Sequence, residues 1–213
     1  MKIILICATG RSGSTTLQRI INTIDESDIT GEKWGSINNL LMCYSNIKKK
    51  KKIKLENYVE GDTKQKPAWY NSFNFESVKN NIKDTILNII SNDKSKKVIG
   101  FKEIRYFNGT TLIDEFIELF PNTKVICHIN DDVNKQCKSG WWNESDKEYL
   151  IKYNNQYIEY SRNNQNCYLS YMKYLFNIDE IKKIFLFLGE KLDEDKRSEE
   201  HTSELQSPMY LVC

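Results

Sequence analysis

The loop "GRSGSTT", from Gly10 to Thr16, combines the residue types that bind a phosphate or a sulfate. Glycines let the backbone turn tightly and approach an anion, hydroxyl groups donate hydrogen bonds to it, and the guanidinium of Arg11 is a planar cationic fork. The loop follows the apolar run "KIILICA" and precedes a segment with helical spacing, so the N–H groups of a helix N-terminus would face the same anion. The sequence therefore predicts an anion site. The alternative is a turn that only joins strand to helix.

The pattern of this loop differs from that of an ATP-binding P-loop. The ATP motif reads GxxxxGK[ST], and its lysine reaches the nucleotide phosphates. Here Gly10 and Gly13 have the wrong spacing, and no lysine follows Gly13. A kinase that uses magnesium-ATP is the weaker fit and stays open as an alternative.

Predicted strands and helices alternate around this loop. Apolar runs without alternation are typical of buried parallel strands, and apolar residues every three or four positions are typical of helices. The patterns predict strands at 2–9, 97–103, 123–129 and 166–171, and helices at 14–24, 75–90, 111–120, 133–139, 149–162 and 178–189. The stretch "DESDITGE" is expected to be a loop, and the lysine run 48–52 to begin a solvated excursion. This alternation predicts an α/β fold, a three-layer sandwich with a central parallel sheet.

The composition is that of an ordinary soluble globule. The chain has 213 residues, of which 28% are charged and 39% hydrophobic, and a formal net charge of +2, so its charge does not point to nucleic acid or membrane. The six cysteines form no CxxC pair, which favours buried thiols over a disulfide framework or a metal site. The first apolar run is too short for a signal peptide or a membrane span. We expect a cytoplasmic protein.

The final stretch of the chain has no periodicity of its own. From Arg197, "RSEEHTSELQS" resembles a common sequencing-adapter oligonucleotide translated in frame. We therefore expect one domain over residues 1–196, a non-native tail over residues 197–213, and a native C-terminus that is missing.

Six motifs in order carry a resemblance to a known family. "GRSGSTTL" resembles the 5′-phosphosulfate loop of sulfotransferases, whose donor is 3′-phosphoadenosine 5′-phosphosulfate (PAPS). "DITGE", "GFKEIRY", "FPNTKVI", "KSGWW" and "FLGEKLD" resemble later family segments, nearest to those of tyrosylprotein-type and bacterial sulfotransferases. The resemblance spans residues 1–196 and implies a P-loop NTPase-like sulfotransferase fold. It also implies transfer of a sulfuryl group from PAPS, without a metal, to a hydroxyl or amine of a small molecule, glycan or peptide.

The resemblance implies three catalytic residues. Glu32 corresponds to the family's general base, which takes the proton of the acceptor. Lys102 corresponds to a lysine that stabilises the bridging oxygen as the bond breaks, and Arg105 could assist it. Glu103 could orient either cation. The alternative is a surface cluster of salt bridges.

The same resemblance implies the residues that bind PAPS. The 5′ end of PAPS would be held by Arg11, Ser12, Gly13, Ser14, Thr15 and Thr16. The 3′-phosphate would be held by Lys138 and Ser139, on the segment after the third predicted strand.

One family feature is missing at the 3′-phosphate site. The family usually has an arginine at the end of the third predicted strand, where this chain has Asn130 or Asp131. Lys135, Lys138 or His128 could compensate for it. Without compensation, binding of the donor would be weakened or lost, and the chain would be a non-catalytic protein that keeps the fold. Trp141 and Trp142 could stack on adenine, line the acceptor pocket or belong to the core.

Overall fold

The computed structural model describes residues 1–51, 74–93, 95–105 and 111–196. The predictions for residue 52, for the rest of the excursion after it and for the tail at 197–213 lie outside these residues. The described residues form a five-stranded sheet in the order β2-β3-β1-β4-β5, and every neighbouring pair is parallel. The strands are β1 (Lys2–Ala8), β2 (Ser27–Thr30), β3 (Val98–Glu103), β4 (Thr123–Ile129) and β5 (Cys167–Tyr171). The predicted parallel α/β fold is confirmed.

Helices cover both faces of this sheet. They are α1 (Ser14–Ile21), α2 (Ser36–Lys51), α3 (Phe75–Ile90), α4 (Thr111–Leu119), α5 (Val133–Cys137), α6 (Lys147–Asn163) and α7 (Ile178–Leu188). Short 3₁₀ turns occupy Glu144–Asp146 and Met172–Tyr174. Helices α1 and α7 share one buried cluster with Ile4 and Ile6, whereas α2, α3, α4 and α6 share another with Ile3 and Leu5. Because successive residues of β1 face opposite sides, these clusters define the three layers.

Two elements differ from the sequence prediction. The stretch expected to be a loop contains β2, which pairs with β3 in the register Ile29↔Gly100. Gly100 lies so close to β1 that a Cβ there would be 2.0 Å from the carbonyl oxygen of Ile4. The start of the expected excursion belongs to α2, and Lys48 Nζ contacts Glu115 at 2.6 Å and Glu118 at 2.5 Å.

The described cysteines and helices add two observations. Cys7, Cys43, Cys127, Cys137 and Cys167 are free thiols, and all but Cys43 are buried. No helix within the described ranges combines the length and apolar character needed to cross a bilayer.

The carboxyl ends of the inner strands lie side by side. Ile6 of β1 is in register with Lys102 of β3, and Ala8 of β1 is in register with His128 of β4. Ligands of open α/β sheets bind at this edge. The topology therefore places three parts together: the loop from Gly10 to Thr16 (the glycine loop), the end of β3 and the end of β4.

Candidate functional site

Two residues of the loop after β1 have a left-handed backbone. Arg11 has φ 62° and Gly13 has φ 82°. Glycine adopts this conformation freely, whereas for Arg11 it costs on the order of 1–3 kcal/mol, and such strain clusters at functional sites. A Cβ at position 13 would also lie 2.0 Å from Sδ of Met172. Position 13 therefore favours glycine for its dihedral angle, and a Cβ there would force the Met172 side chain to move.

Helix α1 begins directly after Gly13 without a side-chain cap. The first turn contains no acidic residue. Ser12 is fully buried, and its Oγ has no hydrogen-bond partner among the described residues. A buried hydroxyl without a partner costs about 1–3 kcal/mol. Together these features suit an anion that would accept hydrogen bonds at this place.

The other loop residues assigned to PAPS lie at the start of α1. Ser14 and Thr16 are buried, whereas Thr15 is exposed. The backbone N–H groups of this first turn have no acceptor four residues earlier in the helix. The placement is compatible with the predicted contacts to an anion.

Side chains from the segment after β4 donate hydrogen bonds to the start of the loop. The carbonyl oxygen of Gly10 accepts hydrogen bonds from Gln136 Nε2 at 2.7 Å and from Trp142 Nε1 at 2.8 Å. Gln136 Nε2 also lies 2.9 Å from Oγ1 of Thr9. These contacts fix the loop relative to α5 and to the turn that follows it.

His128, at the end of β4, makes a third contact to the loop. Its Nε2 lies 2.8 Å from the carbonyl oxygen of Ser12, and its Nδ1 lies 3.1 Å from Oγ of Ser170. The imidazole is completely buried, and the loss of solvation lowers its pKa to about 4, although the hydrogen bond to Ser12 acts in the opposite direction. His128 is therefore neutral at pH 7.

The three predicted catalytic side chains come together at the end of β3. Lys102 Nζ lies 2.5 Å from Oε1 of Glu32, and Arg105 Nη1 lies 3.1 Å from Oε2 of Glu32. Lys102 is only 6% exposed. Its side chain follows Val98 and Gly100 in the alternation of β3, which places it on the sheet face that α1 covers.

Glu103 holds Arg105 in this cluster. It is fully buried, and its Oε1 accepts hydrogen bonds from the amides of Ile104 and Arg105 at 2.9 and 3.1 Å and from Arg105 Nη1 at 3.1 Å. The guanidinium of Arg105 also lies over the ring of Trp34, with Cζ 5.3 Å from the ring centroid. Arg105 is thus held at its backbone amide and at its guanidinium, and these contacts position it beside Glu32.

The predicted 3′-phosphate residues follow α5. Ser139 Oγ is buried and has no hydrogen-bond partner in the described part of the chain, whereas Lys138 is exposed. Asp131, which would repel a phosphate, lies 2.6 Å from Nζ of Lys173. Its negative charge is therefore balanced by a lysine from the turn after β5.

His128 cannot replace the missing arginine, which corrects one option left open by the sequence. Both of its ring nitrogens are engaged, with Ser12 and Ser170, and burial keeps the ring neutral. A neutral, buried imidazole provides neither a positive charge nor access to a phosphate. Lys135 and Lys138 remain possible, since both are exposed.

Sequence reasoning did not find the contacts from Gln136, Trp142 and His128 to the loop. Gln136 looks like any polar residue of a short helix, and its contacts join residues more than a hundred positions apart. The available signal was the position of His128 at the end of an apolar strand. A polar residue there lies at the ligand-binding edge of the sheet.

The fold is similar to those of several solved structures. No family model matches the chain, and no curated protein sequence matches it significantly. Among solved structures, the sulfotransferase domain of the Synechococcus PCC 7002 olefin synthase has a TM-score of 0.57 and 13% identity over 92% of this chain and 76% of that one. The sulfotransferase domain from the curacin biosynthetic pathway has a TM-score of 0.55 and 15% identity over the same shares, 92% and 76%.

A third similar structure is a sulfotransferase from Alicyclobacillus acidocaldarius. Its TM-score is 0.52, with 9% identity over 89% of this chain and 81% of that one. At such low identities the similarity establishes the fold alone. The chain has the fold of sulfotransferase domains.

Proposed function

We propose that the protein is a sulfotransferase that transfers a sulfuryl group from PAPS to a hydroxyl or amine acceptor. The observation that carries the proposal is the ion pair of Lys102 with Glu32, at 2.5 Å. It lies at the end of β3, next in the sheet to the strand that leads into the glycine loop. An anion site beside a paired carboxylate and ammonium group is the arrangement that sulfuryl transfer requires.

The residues present fit PAPS at both of its ends. The hydroxyls of Ser12 and Ser139 are buried without partners among the described residues, and each lies in a segment that the family resemblance assigns to one end of PAPS. The 5′ end would be held by Arg11 and the residues from Ser12 to Thr16, and the 3′-phosphate by Lys138 and Ser139. When bound, PAPS supplies an activated sulfuryl group.

The cluster of Glu32, Lys102 and Arg105 at the end of β3 would accept a proton and stabilise negative charge. A Glu32 oxygen would accept the proton of the acceptor hydroxyl or amine. Lys102 has three N–H donors and Arg105 has five, so each cation can keep a hydrogen bond to Glu32 and donate another to a developing negative charge. Because Lys102 is nearly buried, its charge is screened less than that of a surface lysine.

The proposal is tested by transfer to a panel of hydroxyl and amine acceptors, with products identified by mass spectrometry. The expected result is a sulfated product that depends on PAPS and is lost in Glu32→Gln. Glu148→Gln, which changes an exposed acid in α6, is the matched control and should keep full activity. Phosphate transfer from magnesium-ATP would instead identify a kinase. Weak or absent binding of PAPS, with no product from any acceptor, would favour the non-catalytic alternative.

A further inference from the structure

The contacts of His128 determine which of its nitrogens carries the proton. The carbonyl oxygen of Ser12 can only accept a hydrogen bond, so the proton must be on Nε2, at 2.8 Å. In a neutral imidazole the other nitrogen, Nδ1, is then an acceptor, and the hydroxyl of Ser170 donates to it over 3.1 Å. Ser170 is 4% exposed and His128 is fully buried, so water does not compete for either bond. The structure therefore defines one tautomer in one orientation.

The Ser12 carbonyl and the Gly13 N–H belong to the same planar peptide unit. In a trans peptide these two groups point in opposite directions. Because His128 holds the carbonyl oxygen on the β4 side, the Gly13 N–H must point away from His128. Gly13 is the N-cap of α1, so its N–H is among the groups at the start of the helix that have no acceptor within the helix.

The peptide unit between Gly10 and Arg11, two units earlier in the loop, is held in the same way. Gln136 and Trp142 both donate to the carbonyl oxygen of Gly10, which fixes the direction of the Arg11 N–H. The contacts to the Gly10 and Ser12 carbonyls, from separate donors, therefore set the directions of the Arg11 and Gly13 N–H groups. Backbone N–H groups of a turn that point into one concavity bind anions.

We propose that His128 is a positioning residue of the anion site: through the Ser12 carbonyl, the neutral imidazole directs the Gly13 N–H toward the bound anion, and Ser170 holds the ring in this orientation by donating to Nδ1. This inference rests on the proposed function, because it assumes that the loop binds the 5′ end of the donor. His128 does not contact the anion. It acts by fixing one donor before the anion arrives, which reduces the entropy lost on binding.

Two amide substitutions separate this role from a general effect of polarity. In His128→Gln the side-chain amide reaches about as far as Nε2 and can still donate to the Ser12 carbonyl. In His128→Asn the shorter amide reaches only about as far as Nδ1, near Ser170. Both variants place a neutral amide in the same cavity, so they are matched in charge and chemistry.

The test measures the affinity of each variant for 3′-phosphoadenosine 5′-phosphate (PAP) by calorimetry, with thermal unfolding as a check of folding. We expect His128→Gln to bind PAP nearly as well as the wild type. We expect His128→Asn to bind roughly 10- to 100-fold more weakly, as for the loss of one hydrogen bond to a charged group. Equal affinities for wild type, His128→Gln and His128→Asn would overturn the inference while leaving the proposed function intact.

Nuclear magnetic resonance of the full chain gives a second, independent readout. Nitrogen-15 shifts of His128 should show the tautomer protonated at Nε2. The Gly13 amide proton should shift on addition of PAP in the wild type and in His128→Gln, but much less in His128→Asn. A His128 protonated at Nδ1 would overturn the inference. A wild-type protein that does not bind PAP would overturn both this inference and the proposed donor.

Discussion

Replacing Gly13 by alanine should destabilise the protein for two separable reasons. The first is the left-handed backbone, φ 82°, which costs a residue with a Cβ about 1–2 kcal/mol. The second is space, because the new Cβ would lie 2.0 Å from Sδ of Met172 and 3.2 Å from Cδ1 of Leu175. Forcing extra volume into a packed site typically costs about 1–3 kcal/mol. We expect a total loss of about 2–5 kcal/mol.

Gly140 provides a matched control for the backbone contribution. It has nearly the same dihedral angle, φ 77°, but no atom lies within 4 Å of the Cβ that an alanine would add. Gly140→Ala should therefore lose only about 1–2 kcal/mol. The gain from a less flexible unfolded chain is the same in both variants and cancels in the comparison.

The assay is urea denaturation of the two variants, together with Met172→Ala and the double variant Gly13→Ala/Met172→Ala. Removing the Met172 side chain should recover most of the second contribution, which a double-mutant cycle measures as a coupling of about 1–3 kcal/mol. The loop should also bind PAP more weakly in Gly13→Ala. Equal losses of stability in Gly13→Ala and Gly140→Ala, with no coupling to Met172, would refute the steric argument.

Three further predictions follow from individual side chains. Glu32→Gln should reduce turnover by about 100- to 10,000-fold in steady-state kinetics, with little change in PAP affinity, because it removes the proton acceptor; unchanged turnover would contradict its role. His128 has a pKa of about 4 in the folded chain against an ordinary 6.5, so the unfolded chain binds the proton more tightly. The contribution of His128 to the free energy of unfolding should be fully present above about pH 6.5 and fall by about 3 kcal/mol as the pH drops to 4. It is measured relative to His128→Gln, which lacks this titration. Parallel pH profiles of the two proteins would contradict the prediction. Tyr160 donates to Asp114 Oδ1 at 2.8 Å between α6 and α4, so Tyr160→Phe should lose about 1–2 kcal/mol in denaturation experiments; a neutral substitution would show that water replaces the bond.

The core strands could be predicted from the sequence because they are long and apolar. Strands β1, β3 and β4 are almost completely buried, so each reads as a continuous apolar run. Strand β2 could not be predicted, because it has four residues and only Ile29 is fully buried. Its identity depends on pairing with β3, which is a tertiary contact.

Helix α2 was not predicted from the sequence for a related reason. Its buried residues Ile37, Leu41 and Tyr44 do have helical spacing. Asparagines and lysines make up much of the rest of its sequence, and asparagine has a low helix propensity. Packing against α3 and α4, rather than propensity, stabilises this helix.

The proposed catalytic cluster of Glu32, Lys102 and Arg105 was expected from motif resemblance, whereas its geometry depends on the unpredicted strand. Because β2 ends with Thr30 in register with Phe101, Glu32 arrives next to Lys102, although the two residues are 70 positions apart. The contacts beneath the loop were not predictable in the same way. They depend on how α5 and the end of β4 pack against the loop, and no sequence motif indicates that packing.

The most direct test of the account is calorimetric titration of the full chain with PAP in the presence of a metal chelator. The account predicts binding without a divalent cation, and its loss or strong weakening in Arg11→Ala. Titration with ATP, with and without magnesium, is the comparison. Binding of magnesium-ATP in preference to PAP, or no binding of either nucleotide, would contradict the claim that this loop holds the donor of a sulfuryl group.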